Sequence, residues 1–442
     1  MLQIQHFSAA FSIVLGALFI GQTPASLCAA TIHVPADQPT IHAAITAAAS
    51  EDTVLVAPGT YFEHDLSITQ SVVLLGDPGQ PSSTKIDGQG LGRILSVDVG
   101  IGPVLISGFT FRNGRAASPY PGTLGGAVYA QAPEMTISDC AFDNNAAGLV
   151  NDSAGIGGAI FVESISKIGR CTFRENEAYG GGGAIFAHFS SLVLEDCEFV
   201  SNIAAESGGG AVMIRDNGSP SISNCRFIEN QGAQGGALTL AYYVTPQIDD
   251  CVFLRNAATG GGAGGAVLCF SGANPTFDRC LFAKNISSFA SFLGWGGAVG
   301  TYSSFLSFES CTFVDNNAPV GSAVYYSGTS AVHFDRSIIA FNGPGSAAQC
   351  ANGAGVLTAA CTDVFGNTGG DWTTCLPNQD PTNFSANPFF CNPPSDDYSL
   401  QVGSPCAPPG LTGCGLVGAL PEGCGPVSVD ASTWGKIKSK YR

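Results

Sequence analysis

The chain has 442 residues, 58 of them glycine, and only 12% of its residues are charged. With 34 acidic side chains against 17 basic ones its formal charge is −17, which sets aside nucleic acid as a partner, because that class needs a basic face. The same charge weakens a polyuronate partner unless calcium bridges the two.

Phe7 to Ile20 is an apolar run of 14 residues, too short to span a bilayer. Small residues follow as far as Cys28-Ala29-Ala30. The pattern predicts a secretory signal peptide over residues 1–30, cleaved near Ala25 or Ala30. No Lys or Arg precedes Lys85, so a buried N-terminal hairpin is the alternative. Residues 31–113 read as an N-terminal cap and first coils. Ile32 to Pro35 is a short strand, and Asp37 or Thr40 caps a helix from Ile41 to Ala49 with Ile41, Ala44, Ile45 and Ala48 on one face. Strands follow at Asp52–Val56, Ser71–Leu75, Lys85–Asp87, Ile94–Val97 and Val104–Phe111.

Residues 114–345 repeat two phrases. The first is Gly-Gly-Ala followed by an aliphatic residue, with its alanine at Ala127, Ala159, Ala184, Ala211, Ala237, Ala266, Ala298 and, after Ser322, Ala323. The second is Cys-x-Phe-x-x-Asn, starting at Cys140, Cys171, Cys197, Cys225, Cys251, Cys280 and Cys311, with an eighth version at Ser337. Its asparagines are Asn145, Asn176, Asn202, Asn230, Asn256, Asn285, Asn316 and Asn342. Successive alanines are 25 to 32 residues apart, the period of a solenoid. Cys-x-Phe places two apolar side chains on one face of a strand, and no intervening segment has a helical period. Each repeat is therefore one lap of short strands. The fold class is all-β: a single right-handed parallel β-helix with a short cap helix and a Cys-rich C-terminal lid. Valine/isoleucine, cysteine and phenylalanine files fill its interior. The asparagines form an amide ladder and suit a left-handed corner, and the glycines serve another corner.

These paired phrases resemble the repeats of chlamydial polymorphic outer membrane proteins, and the wider fold is similar to the pectin lyase-like superfamily. The start of the chain resembles the cap of many such helices. The resemblance implies a secreted or cell-surface, bacterial extracytoplasmic β-helix, with adhesion as the best-known role. Those relatives carry a C-terminal membrane barrel. About 100 residues follow Asn342 here without alternating barrel strands, so neither self-transport nor a transmembrane anchor is expected.

Of the 16 cysteines, all but Cys28 and Cys269 fall into two groups. Cys140 through Cys311, one per lap, read as buried thiols, and no histidine joins them at metal-ligand spacing. Cys350, Cys361, Cys375, Cys391, Cys406, Cys414 and Cys424 lie in the loop-rich residues 346–425, the last coils and lid, where disulfides are expected. Their number is odd, leaving one free or paired elsewhere, with Cys269 as a candidate. Residues 426–442 form a basic tail that either docks on an acidic surface or packs Trp434 and Ile437 on the last coil.

Outward residues of successive laps line up on the flanks. The fourth residue after each repeat alanine brings Glu163, His188 and Arg215 together, the candidate catalytic acid, base and cation. The second gives Tyr129, Phe161, Phe186 and Met213, a candidate apolar binding stripe. The enzyme signatures of the resembled superfamily are absent: there is no Gly-His-Gly, Arg-Ile-Lys or Asn-Thr-Asp. Asp250 is expected to face outward and Asp249 inward or into a bend, so the pair cannot share one glycosidic bond. The expected function is an exported, non-catalytic protein presenting a long face to a polysaccharide or cell-surface component, without cofactor or metal. The alternative is a polysaccharide lyase or glycoside hydrolase, for which calcium would enter.

Overall fold

The computed structural model describes residues 29–425 except 99, 101, 118–122, 133, 149–154, 164, 262, 289–293, 352–354 and 412. The segment expected to be a signal peptide, apart from its last two residues, and the basic tail lie outside the described residues.

One lap shows how the repeat folds. Ile160–Val162 follows the glycines, Ile165–Gly169 comes next, Thr172–Arg174 carries Phe173, and Glu177–Ala178 follows the asparagine. The next lap pairs with all four in parallel, as in Ile160↔Ile185, Ile168↔Leu194, Phe173↔Phe199 and Glu177↔Ile203. Stacking gives a glycine-alanine sheet of 11 strands, a long sheet of 13, a phenylalanine sheet of 12 and a short sheet of 9, wound into a right-handed parallel β-helix.

The interior is the set of files the repeat implies. Phe142, Phe173, Phe199, Phe227 and Phe253 are fully buried. Their rings stack at 4.8, 4.8, 4.9 and 4.8 Å, the strand spacing itself. A second aromatic file, Phe277–Phe308–Phe334, occupies the long sheet's inner face, unannounced by the repeat phrases. The in-register thiols from Cys140 to Cys311 are free and buried. Typically the Sγ–H donates to the carbonyl two residues back, as Cys171 does to Gly169 at 3.2 Å.

The asparagines form the expected ladder. Nδ2 of Asn176 donates to Oδ1 of Asn202 at 2.9 Å and to the Phe142 carbonyl at 2.9 Å. The ladder extends past Asn342 to Asn367. One expectation is corrected: the left-handed residue at this corner is the one before each asparagine, such as Asn144 (φ 53°) or Glu175 (φ 53°). The asparagine serves hydrogen bonding alone. The glycine pair has two separate causes. Gly182 takes φ 64°, whereas a Cβ on Gly183 would run into the carbonyl of Gly210 in the next lap. Asp249 also departs from expectation. It closes the strand Gln247–Asp249 with an outward side chain, and Asp250, in the following left-handed corner, is held by Arg279 at 2.8 Å.

At the N-terminus the helix Ile41–Ala47 is capped by Thr40, whose side chain accepts from the Ala43 N–H, and it buries Ile41, Ala44 and Ile45. At the other end Cys375 and Leu376 plug the interior. The cysteine-rich segment is more than a lid: Phe390–Asn392, Asp397–Gln401 and Glu422–Cys424 form a small sheet. That sheet folds back over the apolar outer flank made by Leu254, Leu281, Val314 and Ile338. Disulfides Cys350–Cys375, Cys361–Cys414 and Cys391–Cys424 staple it, leaving Cys406 and Cys269 free and buried.

Candidate functional site

Strands of the glycine-alanine sheet alternate strictly. In Ile185–His188 the side chains of Ile185 and Ala187 enter the core, so Phe186 and His188 face outward. Register then builds two outward files, because Phe161↔Phe186↔Met213 and His188↔Arg215 are paired.

The first file is not an exposed stripe. Phe161, Phe186 and Met213 are 2%, 4% and 7% exposed. They form a satellite core with Leu124 and Ile156, and Tyr129 packs against its edge. Leu124 and Ile156 belong to the loops leading into the glycine pairs, and these loops roof the file. The expected binding residues Phe161, Phe186 and Met213 are therefore an internal plug beneath the loop wall, with no face left for a ligand.

The second file is a connected polar network. Gln131 Nε2 donates to Glu163 Oε2 at 2.6 Å. Glu163 Oε1 lies 3.1 Å from His188 Nδ1, and His188 Nε2 lies 3.1 Å from Asp216 Oδ2. Arg215 Nε donates to the same Asp216 oxygen at 2.5 Å, and its guanidinium covers the Tyr242 ring at 4.9 Å. Glu163, His188 and Arg215 are thus neighbours, joined through Asp216. Sequence counting missed Asp216 because it lies one residue past its strand, where a left-handed turn (φ 66°) swings it back toward His188. The run Asp216-Asn217-Gly218 is the local signal for that turn.

His188 is 28% exposed and Asp216 19%, so the network lies half-sunk in the surface. A neutral imidazole has one N–H to donate. Two carboxylate contacts are satisfied together only when both ring nitrogens, or one carboxyl, carry a proton. The network's flank is aromatic: Phe189 lies against His188 at 4.2 Å with the rings tilted by 44° and is 63% exposed, and Tyr242 meets Phe270 edge-on at 5.3 Å. The arrangement offers fixed donors and acceptors beside open ring faces. Among the described residues no group of three or more His, Cys, Asp or Glu side chains is placed to hold a metal ion, and no helix is long and apolar enough to cross a membrane.

The family described as right handed beta helix region matches residues 126–299 and 205–368, together more than half of the chain. The metabotropic glutamate receptor-like protein R of Dictyostelium discoideum is 31% identical over 207 residues, 46% of this chain and 12% of that protein. The probable outer membrane protein PmpG of Chlamydia muridarum (strain MoPn / Nigg) is 30% identical over 241 residues, 43% of this chain and 23% of that one. The chain thus spans less than a quarter of the length of either relative. Among solved structures, the periplasmic alginate epimerase AlgG aligns with a TM-score of 0.47 at 9% identity over 76% of each chain. The alginate lyase AlyGC aligns with a TM-score of 0.48 at 11% identity over 90% of this chain and 58% of that one.

Proposed function

The chain belongs to the right-handed β-helix family, and from that premise we propose that it is an exported, non-catalytic protein that binds a glycan or other surface molecule along the outer face of the glycine-alanine sheet. The observation that carries this reading is the double engagement of His188, held at 3.1 Å by Glu163 and at 3.1 Å by Asp216. An imidazole gripped at both nitrogens has no lone pair free to take a proton from a substrate. Arg215 is likewise committed, to Asp216 and to the Tyr242 ring. Such a network is suited to orient a polar ligand. Aromatic edges beside it supply apolar contact at small entropic cost. The three disulfides support a location outside the reducing cytoplasm.

A glycan array probed with the full chain tests the reading. We expect retention of at least one glycan class, lost when Glu163→Ala, His188→Ala and Arg215→Ala are combined. Incubation with uronate and neutral polysaccharides is expected to give no new reducing or unsaturated ends. Ends that appear with the wild type and vanish with the triple variant would overturn the non-catalytic reading in favour of a lyase or hydrolase.

A further inference from the structure

The plugged file changes character along the rod. Register continues Met213↔Thr239↔Leu268↔Gly300↔Tyr325. Large side chains fill the space beneath the loop wall in the earlier laps; this file then shrinks to Thr239 and Gly300, with Leu268 between them left on the groove's lining. Gly300 is fixed by sterics, since a Cβ there would collide with Ala263 of the wall. The wall itself is continuous at this point, with bridges Ala263↔Trp295 and Trp295↔Val320. Where the plug ends, a groove of ≈ 480 Å³ opens, within the range of about 300–1,000 Å³ typical of small-ligand pockets.

Its lining is specific. Trp295 stacks on Tyr325 at 5.3 Å with 17° between the rings, and is 39% exposed. Phe270 and Tyr302 come from the outward file that carries Arg215 farther back, and Tyr302 is 57% exposed. The remaining lining groups that hydrogen-bond are uncharged, Gln234 and Ser327 among them, and among the described residues no Asp, Glu, Lys, Arg or His lines the groove. In a chain of formal charge −17, a groove without a cation cannot compensate a carboxylate or sulfate. It complements a ligand with flat C–H faces and neutral hydroxyls.

We propose that this groove is a subsite for an uncharged sugar, with a pyranose ring laid on the Trp295/Tyr325/Tyr302 surface. The proposal rests on the glycan-binding reading above and narrows its ligand to a neutral or partly neutral saccharide. Isothermal titration of the full chain with neutral hexaoses of glucose, mannose and galactose, and with a uronate hexaose for contrast, tests it. At least one neutral hexaose is expected to bind saturably. Trp295→Ala and Tyr302→Ala each weaken it about tenfold or more, while Trp295→Phe retains most of the affinity. Circular dichroism melting of each variant guards against unfolding. Binding of the uronate hexaose alone, or neutral binding that the Trp295 and Tyr302 variants leave unchanged but the Glu163/His188/Arg215 variant abolishes, overturns the groove and leaves the wider reading standing. No binding by any hexaose overturns the groove, and the wider reading then stands or falls with the glycan array.

Discussion

Replacing Asn230 by alanine removes one rung from the middle of the amide ladder. The side chain is fully buried. Its Nδ2 donates to the Phe199 carbonyl and to Asn256 Oδ1, both at 3.0 Å. Its Oδ1 accepts from the Asn202 backbone N–H at 3.0 Å and from Asn202 Nδ2 at 2.9 Å. Each bond contributes about 0.5–1.5 kcal/mol net, and an orphaned buried N–H costs about 1–3 kcal/mol more. Asn256 Oδ1 keeps the Asn230 N–H and Asn202 Nδ2 keeps the Phe173 carbonyl, so the Asn202 N–H loses most. Allowing for this relief, Asn230→Ala should destabilise by about 3–5 kcal/mol. Urea unfolding followed by far-UV circular dichroism measures it. Asn224→Gly, at an exposed left-handed corner, is the control and should cost less than about 1 kcal/mol. A loss under about 1 kcal/mol for Asn230→Ala would refute the view that the ladder is a main stabiliser.

Phe227→Ala, deleting a ring stacked at 4.9 and 4.8 Å between its neighbours, should cost about 3–5 kcal/mol in the same assay. Gly183→Ala should abolish or severely weaken folding by driving a methyl into the Gly210 carbonyl. Gly169→Ala, whose Cβ would have its nearest neighbour at 3.7 Å, should be tolerated, and equal effects would contradict the steric account. Burial keeps Asp363 protonated up to about 7, even though it accepts from the Ala386 N–H. The unfolded carboxyl titrates near ~3.9, so the folded state binds the extra proton between these values. Stability from this group is therefore full below about pH 4 and falls as pH rises toward 7. Asp363→Asn should flatten that slope in melting curves from pH 4 to 8, and an unchanged slope would exclude Asp363 as its source. The nine free cysteines among the described residues are all buried and should stay unreactive toward a water-soluble thiol reagent until the protein is unfolded.

Much of the fold was legible because stacking turns a repeat into a spatial statement. Once the period was found, Cys-x-Phe-x-x-Asn implied the ring file, the thiol file and the ladder. Counting four residues from each alanine placed Glu163, His188 and Arg215 side by side. Reasoning from the repeat failed where its phrases stop. Leu124 and Ile156 sit in connecting loops of unequal length, so nothing periodic announced that they roof Phe161, Phe186 and Met213. Trp295 belongs to another such loop, and Asp216 reaches His188 through a backbone turn that strand parity does not describe. The return of the small C-terminal sheet along the flank was hidden for a related reason. Its partners are outward residues of two files, Leu254 with Val314 and Leu281 with Ile338, and their apolar character shows only when these outer files are read separately from the core.

Hydrogen–deuterium exchange on the full chain, with and without a glycan retained by the array, bears most directly on the proposed face. Slowed exchange is expected in Ile185–Phe189, Val212–Asp216 and the segment around Tyr242, Phe270 and Tyr302. Protection confined to the long sheet or to the flank under the C-terminal flap, with the glycine-alanine strands unchanged, would contradict it.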